Sequence, residues 1–298
     1  MNALARCTFL TLLAAAFAGV ATAQTNPAMT PKRVLVVTTT AGFRHSSIPT
    51  AEKIIGELAK SSGAFTVDYA AVETGTKEFK NAEGKPDNAK ILAAIKPVLA
   101  EKMSAEALKK YDGVIFANTT GDLPLPDPQA FLDWIKAGHA FIGMHAATDT
   151  FPGFKPYTEM IGGHFLRHGP QVPVEALNQD ADCPACKHLP KSWSVFDEIY
   201  QLKDFDGSKV HRLLSLDQLM LNAEDIKNKK ATPGDYPIAW SKEYGKGRVF
   251  YTSLGHREDL WDANWKDKDG SRKNSPEVAK QYQQHILGGI RWALGLKK

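Results

Sequence analysis

The sequence predicts an α/β fold in which a mostly parallel sheet is flanked by helices, with an added β-hairpin and long loops. Short apolar segments alternate with amphipathic segments along much of the chain, and this alternation is typical of strand–helix–strand units. Histidine-containing loops follow several of the apolar segments. The 298 residues are enough for one such domain with elaborated loops.

The N-terminal residues have the pattern of a secretory signal peptide. Arg6 is followed by an apolar run from Thr8 to Val20 and by the small residues Ala21-Thr-Ala23. We predict a signal peptide over 1–23, a polar linker over 24–31 and a single domain over 32–296, in a periplasmic or secreted protein. No second apolar run of membrane length follows, so no membrane association is expected after cleavage.

The first half of the domain is predicted to alternate strands with helices. Four apolar runs have the length and composition of buried strands: Val34–Thr40, Phe65–Ala70, Gly113–Ala117 and Ala140–Met144. Between them, apolar residues at helical spacing or helix-capping residues predict helices that begin near Ser47, cover Lys90–Leu99, begin after Ser104 and run from Asp127 to Gly138. The polar segment Asn81–Asn88 is predicted to be a loop.

The second half has weaker signals. Residues 151–189 are rich in Gly, Pro and His and are predicted to be mostly loop. Further β segments are expected at Glu198–Leu202 and Arg212–Leu216. Pro237–Lys242 and Arg248–Leu254 predict a hairpin around Tyr244-Gly-Lys-Gly247, and a C-terminal helix is expected from Pro276 to Leu294.

Charge and cysteine content restrict the partners. The net charge is +4, and the densest basic cluster is only Lys227-Asn-Lys-Lys230, so nucleic acid is not expected as a partner. We also expect no nucleotide cofactor. Cys183 and Cys186 form a Cys-Pro-Ala-Cys segment, for which a local disulfide is the first interpretation in an oxidising compartment and a redox-active pair the second. Lys187 directly after the second cysteine excludes a c-type haem attachment.

Histidines carry the main functional signal. His45, His145 and His256 each follow an apolar strand-like run. Residues just beyond the carboxyl ends of parallel strands converge on one crevice, where ligands bind. Several imidazoles in one crevice predict metal binding or acid–base chemistry.

His164 and His168 form a second signal within Gly162-Gly-His-Phe-Leu-Arg-His168. If this segment is helical, the spacing of four places both rings on one face, as a metal-binding pair requires. Glu198, Asp149 or a third histidine would complete the ligands, and zinc or manganese would suit them. In the alternative, the two rings only hydrogen-bond to neighbouring loops.

Several motifs together resemble one known family. They are Thr40-Ala-Gly-Phe-Arg-His45, Phe141-Ile-Gly-Met-His-Ala-Ala147, the segment Gly162–His168, Asp197-Glu198 before Ile-Tyr200, Pro237-Ile-Ala-Trp240 and Gly245–His256. In this order they resemble the ThuA-like (trehalose utilisation) family of the class I glutamine amidotransferase-like superfamily. The resemblance implies a flavodoxin-like sheet and a role in processing sugars, as disaccharides or glycosides oxidised at the 3-position.

The resemblance also excludes one activity. Glutamine amidotransferases present a nucleophilic cysteine on the elbow Gly-x-Cys-x-Gly, and aligned on Gly143 that position is His145 here. A glutamine amidotransferase mechanism therefore lacks its nucleophile. His256 aligns with the second catalytic residue of that superfamily, with Glu258 two places on and Arg257 in place of the usual proline.

These arguments assign candidate roles. Four residues are predicted to be catalytic: His145, His168, Glu198 and His256. Five are predicted to bind substrate: His45, Arg44, Asp122, Asp149 and Trp240. The predicted metal ligands are His164, His168 and Glu198. Trp240, Tyr200, Trp261 and Trp265 lie near motif ends, where sugar rings could stack on them.

We expect an enzyme that acts on a 3-keto sugar derivative, with or without a metal ion. His145 or His168 would abstract the acidified C–H proton beside the keto group, and Glu198 would protonate the leaving glycosidic oxygen. Hydrolysis, elimination and isomerisation all begin with this step. One alternative is a sugar-binding module without turnover in a periplasmic sugar-utilisation system. Another is a scaffold partner of a periplasmic oxidoreductase, which would carry a large exposed apolar patch.

Overall fold

A nine-stranded sheet with helices on both faces organises the chain. The computed structural model describes residues 30–217 and 236–296. The predicted signal peptide 1–23, most of the linker and the basic cluster at 227–230 lie outside the described residues. The described residues from Pro31 onward belong to one compact unit.

Five strands form the parallel half of this sheet. They are β1 (Lys32–Val37), β2 (Phe65–Ala70), β3 (Gly113–Ala117), β4 (Ala140–Met144) and β11 (Gly247–Thr252). In the sheet they lie in the order β2-β1-β3-β4-β11, and each neighbouring pair is parallel. The predicted α/β class and the four predicted strands of the first half are confirmed.

The other half of the sheet is antiparallel. It consists of β10 (Pro237–Tyr244), β9 (His211–Leu216), β6 (Val172–Asn178) and β7 (Ser192–Asp197), which continue from β11 in that order. The predicted hairpin is the pair β10–β11. A separate two-stranded antiparallel sheet contains β5 (His164–His168) and β8 (Tyr200–Lys203).

The helices cover both faces of the parallel strands. The α-helices are α1 (Ile48–Ser62), α2 (Asn88–Met103), α3 (Ala105–Leu108), α4 (Pro128–Lys136), α5 (Lys155–Ile161), α6 (Glu258–Trp261) and α7 (Pro276–Ala293). Short 3-10 turns cover Lys77–Phe79, His145–Asp149 and Gly207–Lys209. None of the helices in the described residues is long and apolar enough to cross a membrane.

Alternation along β1 divides the apolar residues between two cores. Val34 and Val36 lie in the core that contains residues of α1 and α7, whereas Leu35 and Val37 lie in the core that contains residues of α2 and α4. Because both faces are covered, a continuous apolar run is the expected strand pattern.

Side-chain caps fix most helix starts. The side chains of Asp87, Ser104, Asp127 and Ser275 each accept a hydrogen bond from a backbone N–H in the first turn. Ser47 occupies the predicted N-cap position of α1 but makes no capping bond. Its hydroxyl donates to the carbonyl of Gly255 instead, so it fastens the start of α1 to the loop after β11.

The structure rules out the helix on which the pairing of His164 with His168 was conditional. This segment is a strand, paired with β8 from His164 opposite Lys203 to His168 opposite Tyr200. The spacing of four fits a helix, but the long-range pairing provides the backbone hydrogen bonds. The region predicted as loop over 151–189 also contains α5 and β6, and the predicted β segment Glu198–Leu202 begins only at Tyr200.

The predicted disulfide is also wrong in this structure, where Cys183 and Cys186 are both thiols. They lie in a tight turn in which the N–H of Cys186 donates to the carbonyl of Cys183. Both are buried, and burial raises the pKa of Cys186, which disfavours the thiolate that disulfide formation requires.

Candidate functional site

The elbow after the buried strand β4 positions His145. Its backbone has φ of 50°, in the left-handed region that few residues other than glycine adopt. The hydroxyl of Tyr251 donates to the His145 carbonyl at 2.7 Å and holds this turn. Such strained positions occur at functional sites. The side chain of His145 is fully buried at the carboxyl end of the sheet.

Three histidines meet at this edge, since each follows a parallel strand. His45 comes after β1, His145 after β4 and His256 after β11. The ring centroid of His45 lies 4.7 Å from that of His145 and 5.3 Å from that of His256, and the rings of His145 and His256 are 5.3 Å apart. One nitrogen from each ring lies within 4.8 Å of the others. We call these three residues the histidine cluster.

Hydrogen bonds fix the tautomer of His145. Its Nδ1 lies 2.7 Å from the carbonyl oxygen of Ser253, which can only accept, so Nδ1 carries the proton. Nε2 therefore accepts from the hydroxyl of Tyr200 at 2.9 Å. Burial, together with the nearby rings of His45 and His256, lowers the pKa of His145 well below its usual value. The ring is neutral, and its Nε2 lone pair is directed toward Tyr200.

His45 lies beside His145, and Phe43 contacts its ring edge-on. Its side chain is buried, and among the described residues its Nδ1 has no hydrogen-bond partner. Burial, with the rings of His256 and His168, lowers the pKa of His45 to about 3. His45 is therefore a second neutral imidazole.

Glu198 lies between the histidine cluster and His168. Its Oε1 lies 3.1 Å from Nδ1 of His256 and 3.3 Å from Nδ1 of His168. Its Oε2 lies 3.8 Å from Nε2 of His145 and has no hydrogen-bond partner in the described part of the chain. Burial opposes charge on His256, but the contact with Glu198 and the charge of Asp197 outweigh it and raise the pKa of His256.

Asp197 holds this arrangement in place, a role that was not predicted from the sequence. Its Oδ2 accepts from the N–H of Gly255 at 2.7 Å and from that of His256 at 3.4 Å, and its Oδ1 accepts from the N–H of Glu198 at 2.8 Å. Burial raises its pKa to about 6, although these N–H groups oppose the shift. Asp197 thus ties the end of β7 to the loop after β11.

A pocket of about 270 Å³ opens beside these residues. It is lined by Phe43, His45, Ala146, Asp149, Phe165, His168, Glu198, Tyr200 and His256. The side chain of His168 is 41% exposed, so it is accessible from the pocket. Burial raises the pKa of Asp149 to about 6. Aromatic walls with a few convergent polar groups are typical of small-molecule sites.

The structure does not place His164 with the other predicted metal ligands. His164 lines a different cleft, with Lys203 and Asp204, whereas His168 and Glu198 line the pocket. Along a strand, four residues span about 13 Å, which separates His164 from His168. The metal-binding pair expected from a helix is therefore wrong.

Trp240 is not a sugar-stacking residue, contrary to prediction. It is fully buried, its Nε1 donates to the carbonyl of Ile161 at 2.8 Å, and its ring packs against Tyr251. Trp261 is likewise buried, and its Nε1 donates to the carbonyl of Gly255. Both tryptophans are core residues, because β10 is covered on both faces and α6 packs inward.

Arg44 and Asp122 also lie apart from the pocket lining. The guanidinium of Arg44 forms an ion pair with Glu73 at 2.8 Å and bonds to the carbonyl of Val72. Asp122 is exposed and is not among the residues that line the pocket. The substrate-binding role expected of these two residues has no support from their positions.

Comparison with known proteins agrees with the resemblance seen in the sequence. The profile of the ThuA family, described as trehalose utilisation, matches residues 33–268. The crystal structure of a ThuA-like protein from Bacteroides uniformis is similar, with a TM-score of 0.61 and 21% identity, covering 91% of this chain and 94% of that one. The crystal structure of a ThuA-like protein from Parabacteroides merdae has a TM-score of 0.60 and 18% identity, and the match covers 90% of this chain and 92% of that one. None of the curated proteins matches this chain.

The two crystal structures share the fold along nearly the whole of each chain, which confirms the predicted architecture. The profile match spans β1 to the loop after α6, including the histidine cluster, Glu198 and His168. The chain belongs to the ThuA family, the trehalose utilisation family, and this membership indicates a role in sugar metabolism.

Proposed function

We propose that the protein is an enzyme that acts on a disaccharide or glycoside oxidised at the 3-position, by proton transfer in the pocket. The observation that carries this proposal is the convergence of His168, Glu198 and Asp149 on one pocket with aromatic walls. A binding module needs aromatic rings and amides, whereas this pocket supplies groups that accept and donate protons. The sugar class comes from family membership and from the resemblance.

His168 is the proposed base. Its Nδ1 lies 2.6 Å from the carbonyl of Gly169 and 3.3 Å from Oε1 of Glu198. Both neighbours accept, so Nδ1 carries the proton and Nε2 holds the lone pair. A keto group acidifies the adjacent C–H, and Nε2 would take that proton while the C–H electron pair forms an enolate. Glu198 would orient the ring and stabilise the imidazolium that results.

Asp149 is the proposed acid. It lines the same pocket, and burial keeps its carboxyl protonated to higher pH than usual. When the enolate electrons return, the glycosidic C–O bond breaks, its electron pair goes to oxygen, and the Asp149 carboxyl supplies the proton. The products are an unsaturated keto sugar and an alcohol. Addition of water to the double bond would complete a net hydrolysis, and reprotonation of the enolate at a different carbon would be isomerisation.

Turnover of a nitrophenyl 3-keto-glucoside tests the proposal, with binding measured separately by calorimetry. We expect His168→Gln and Asp149→Asn to lower kcat by roughly 100-fold or more while the Kd changes only a few-fold. His211→Gln is the matched control, since His211 is exposed and pairs with Asp180 away from the pocket. Binding without turnover by the unaltered protein would indicate the sugar-binding module, and neither binding nor turnover would contradict both functions.

We also propose that the protein is exported and that cleavage follows Ala23. The support is the signal-peptide pattern of residues 1–23. N-terminal sequencing of the protein from the periplasm or medium should begin at Gln24. A cytoplasmic protein that retains Met1 would contradict the proposal.

A further inference from the structure

We propose that His45, His145 and His256 bind one Zn²⁺ ion through three imidazole nitrogens, leaving a fourth position that faces the pocket. This site differs from the metal ligands predicted from the sequence, and it does not depend on the sugar chemistry. Among the described residues, this is the one group of three or more His, Cys, Asp or Glu side chains whose ligand atoms converge.

The distances fit a site that closes slightly when the ion binds. The three nitrogens lie within 4.8 Å of one another. Zinc–nitrogen bonds of about 2.1 Å in a tetrahedral site need nitrogens about 3.4 Å apart. Small rotations of the three side chains would close this gap, while the strand ends that carry them stay fixed in the parallel sheet.

The surroundings of His145 match those of a metal-binding histidine. Such histidines usually donate their second ring N–H to a carbonyl or carboxylate, which fixes the tautomer. The Nδ1 of His145 donates to the Ser253 carbonyl at 2.7 Å, so its Nε2 is the ligand atom. Tyr200 donates to this nitrogen at 2.9 Å and would give up the contact when an ion binds.

Unpartnered polar atoms are concentrated at this place. Nδ1 of His45 and Oε2 of Glu198 are buried and have no hydrogen-bond partner in the described part of the chain. Each such atom costs about 1–3 kcal/mol. A cation would give a buried nitrogen of His45 a partner, and the Glu198 carboxylate, 3.1 Å from Nδ1 of His256, would offset its charge. A bound zinc ion would also polarise a substrate oxygen as a Lewis acid.

The test is Zn²⁺ binding by the full chain, purified without a His-tag and without chelator, with no sugar present. We expect about one equivalent of zinc by elemental analysis, in keeping with one tetrahedral site. The affinity, measured by competition with a chromophoric chelator, should fall by roughly 100-fold or more in His45→Ala and His256→Ala. His211→Gln is the control and should bind as the unaltered protein does.

Co²⁺ supplies a second readout, since a tetrahedral three-histidine site gives intense visible d–d bands, and His45→Ala should lose them. Circular dichroism shows whether each variant is folded. If a variant is unfolded, the cobalt spectrum of the unaltered protein still shows whether a tetrahedral site is present. A folded protein that binds neither ion would overturn the proposal. So would folded His45→Ala and His256→Ala variants that keep full zinc affinity, because the ion would then lie elsewhere.

Discussion

The hydroxyl of Tyr200 donates a 2.9 Å hydrogen bond to Nε2 of His145, and this contact joins the two sheets of the protein. His145 follows β4, an interior strand of the large sheet, and Tyr200 begins the second strand of the small one. The small sheet also carries His168. This contact therefore links the strand pair that carries the proposed base to the histidine cluster.

Replacing Tyr200 by Phe should raise zinc affinity a few-fold, because the hydroxyl no longer competes for the Nε2 lone pair. The lost hydrogen bond should lower the free energy of unfolding of the metal-depleted protein by about 1 kcal/mol. Chelator competition and urea denaturation measure the two effects. A fall in zinc affinity would show that Tyr200 assists metal binding.

Glu198→Gln should lower kcat roughly 10- to 100-fold while KM stays nearly constant, since Glu198 acts on substrate through His168. The amide keeps the size of the carboxylate but cannot stabilise an imidazolium. Steady-state kinetics on the keto-glucoside provide both constants. Glu243→Gln, at an exposed position on β10, is the control and should be unaffected. A change confined to KM would instead make Glu198 a substrate ligand.

Activity should decline as the pH rises through about 6, because Asp149 must be protonated to act as an acid and burial raises its pKa to about 6. The pH dependence of kcat should show this limb in the unaltered protein. In Asp149→Asn the remaining activity should lose it, since the amide does not titrate. An unchanged limb in this variant would assign the titration to another group.

Trp240→Phe should destabilise the fold and leave substrate affinity unchanged. The substitution removes the bond to the Ile161 carbonyl and part of a fully buried ring, at a cost of about 1–3 kcal/mol. Denaturation curves and calorimetry with the keto-glucoside separate the two quantities. A loss of sugar affinity in a stably folded variant would show that Trp240 contributes to sugar binding.

His285 should make stability depend on pH from a place remote from the pocket. It lies in the core on α7, where its Nδ1 donates to the Ala185 carbonyl and burial lowers its pKa from 6.5 to about 4. Between these values the unfolded chain binds more protons, so the free energy of unfolding falls as the pH falls. The loss between pH 7.5 and pH 5 is about 2 kcal/mol.

The comparison with His285→Gln isolates this contribution. Glutamine does not titrate, so the difference in unfolding free energy between the two proteins should shrink by about 2 kcal/mol from pH 7.5 to pH 5. Urea denaturation at both values measures it, and other titrating groups cancel in the difference. If the difference in unfolding free energy is the same at both pH values, the pH dependence does not come from His285.

The parallel half of the fold was predictable because its strands are continuous apolar runs, as in Ala140–Met144, which is buried on both faces. The same logic located His45, His145 and His256, since the carboxyl ends of parallel strands meet at one edge. These predictions used local pattern together with a general rule of sheet geometry.

The predictions that failed depended on distant contacts. The spacing of His164 and His168 fits a helix, but pairing with Tyr200–Lys203 makes it a strand. Trp240 is the last residue of a conspicuous motif, yet the packing on both faces of its strand buries it. The role of Asp197 could not be predicted from the sequence, because only the folded chain brings the N–H of Gly255 to its carboxylate.

Exchange of substrate hydrogen with solvent tests the proposed proton transfer most directly. The protein is incubated with a 3-keto disaccharide in D₂O, and the C–H signals beside the keto group are followed by NMR. We expect these protons to be replaced by deuterium, or lost with turnover, in the unaltered protein but not in His168→Gln. Tight binding with no exchange and no product would contradict the proposed proton transfer and would indicate a sugar-binding module.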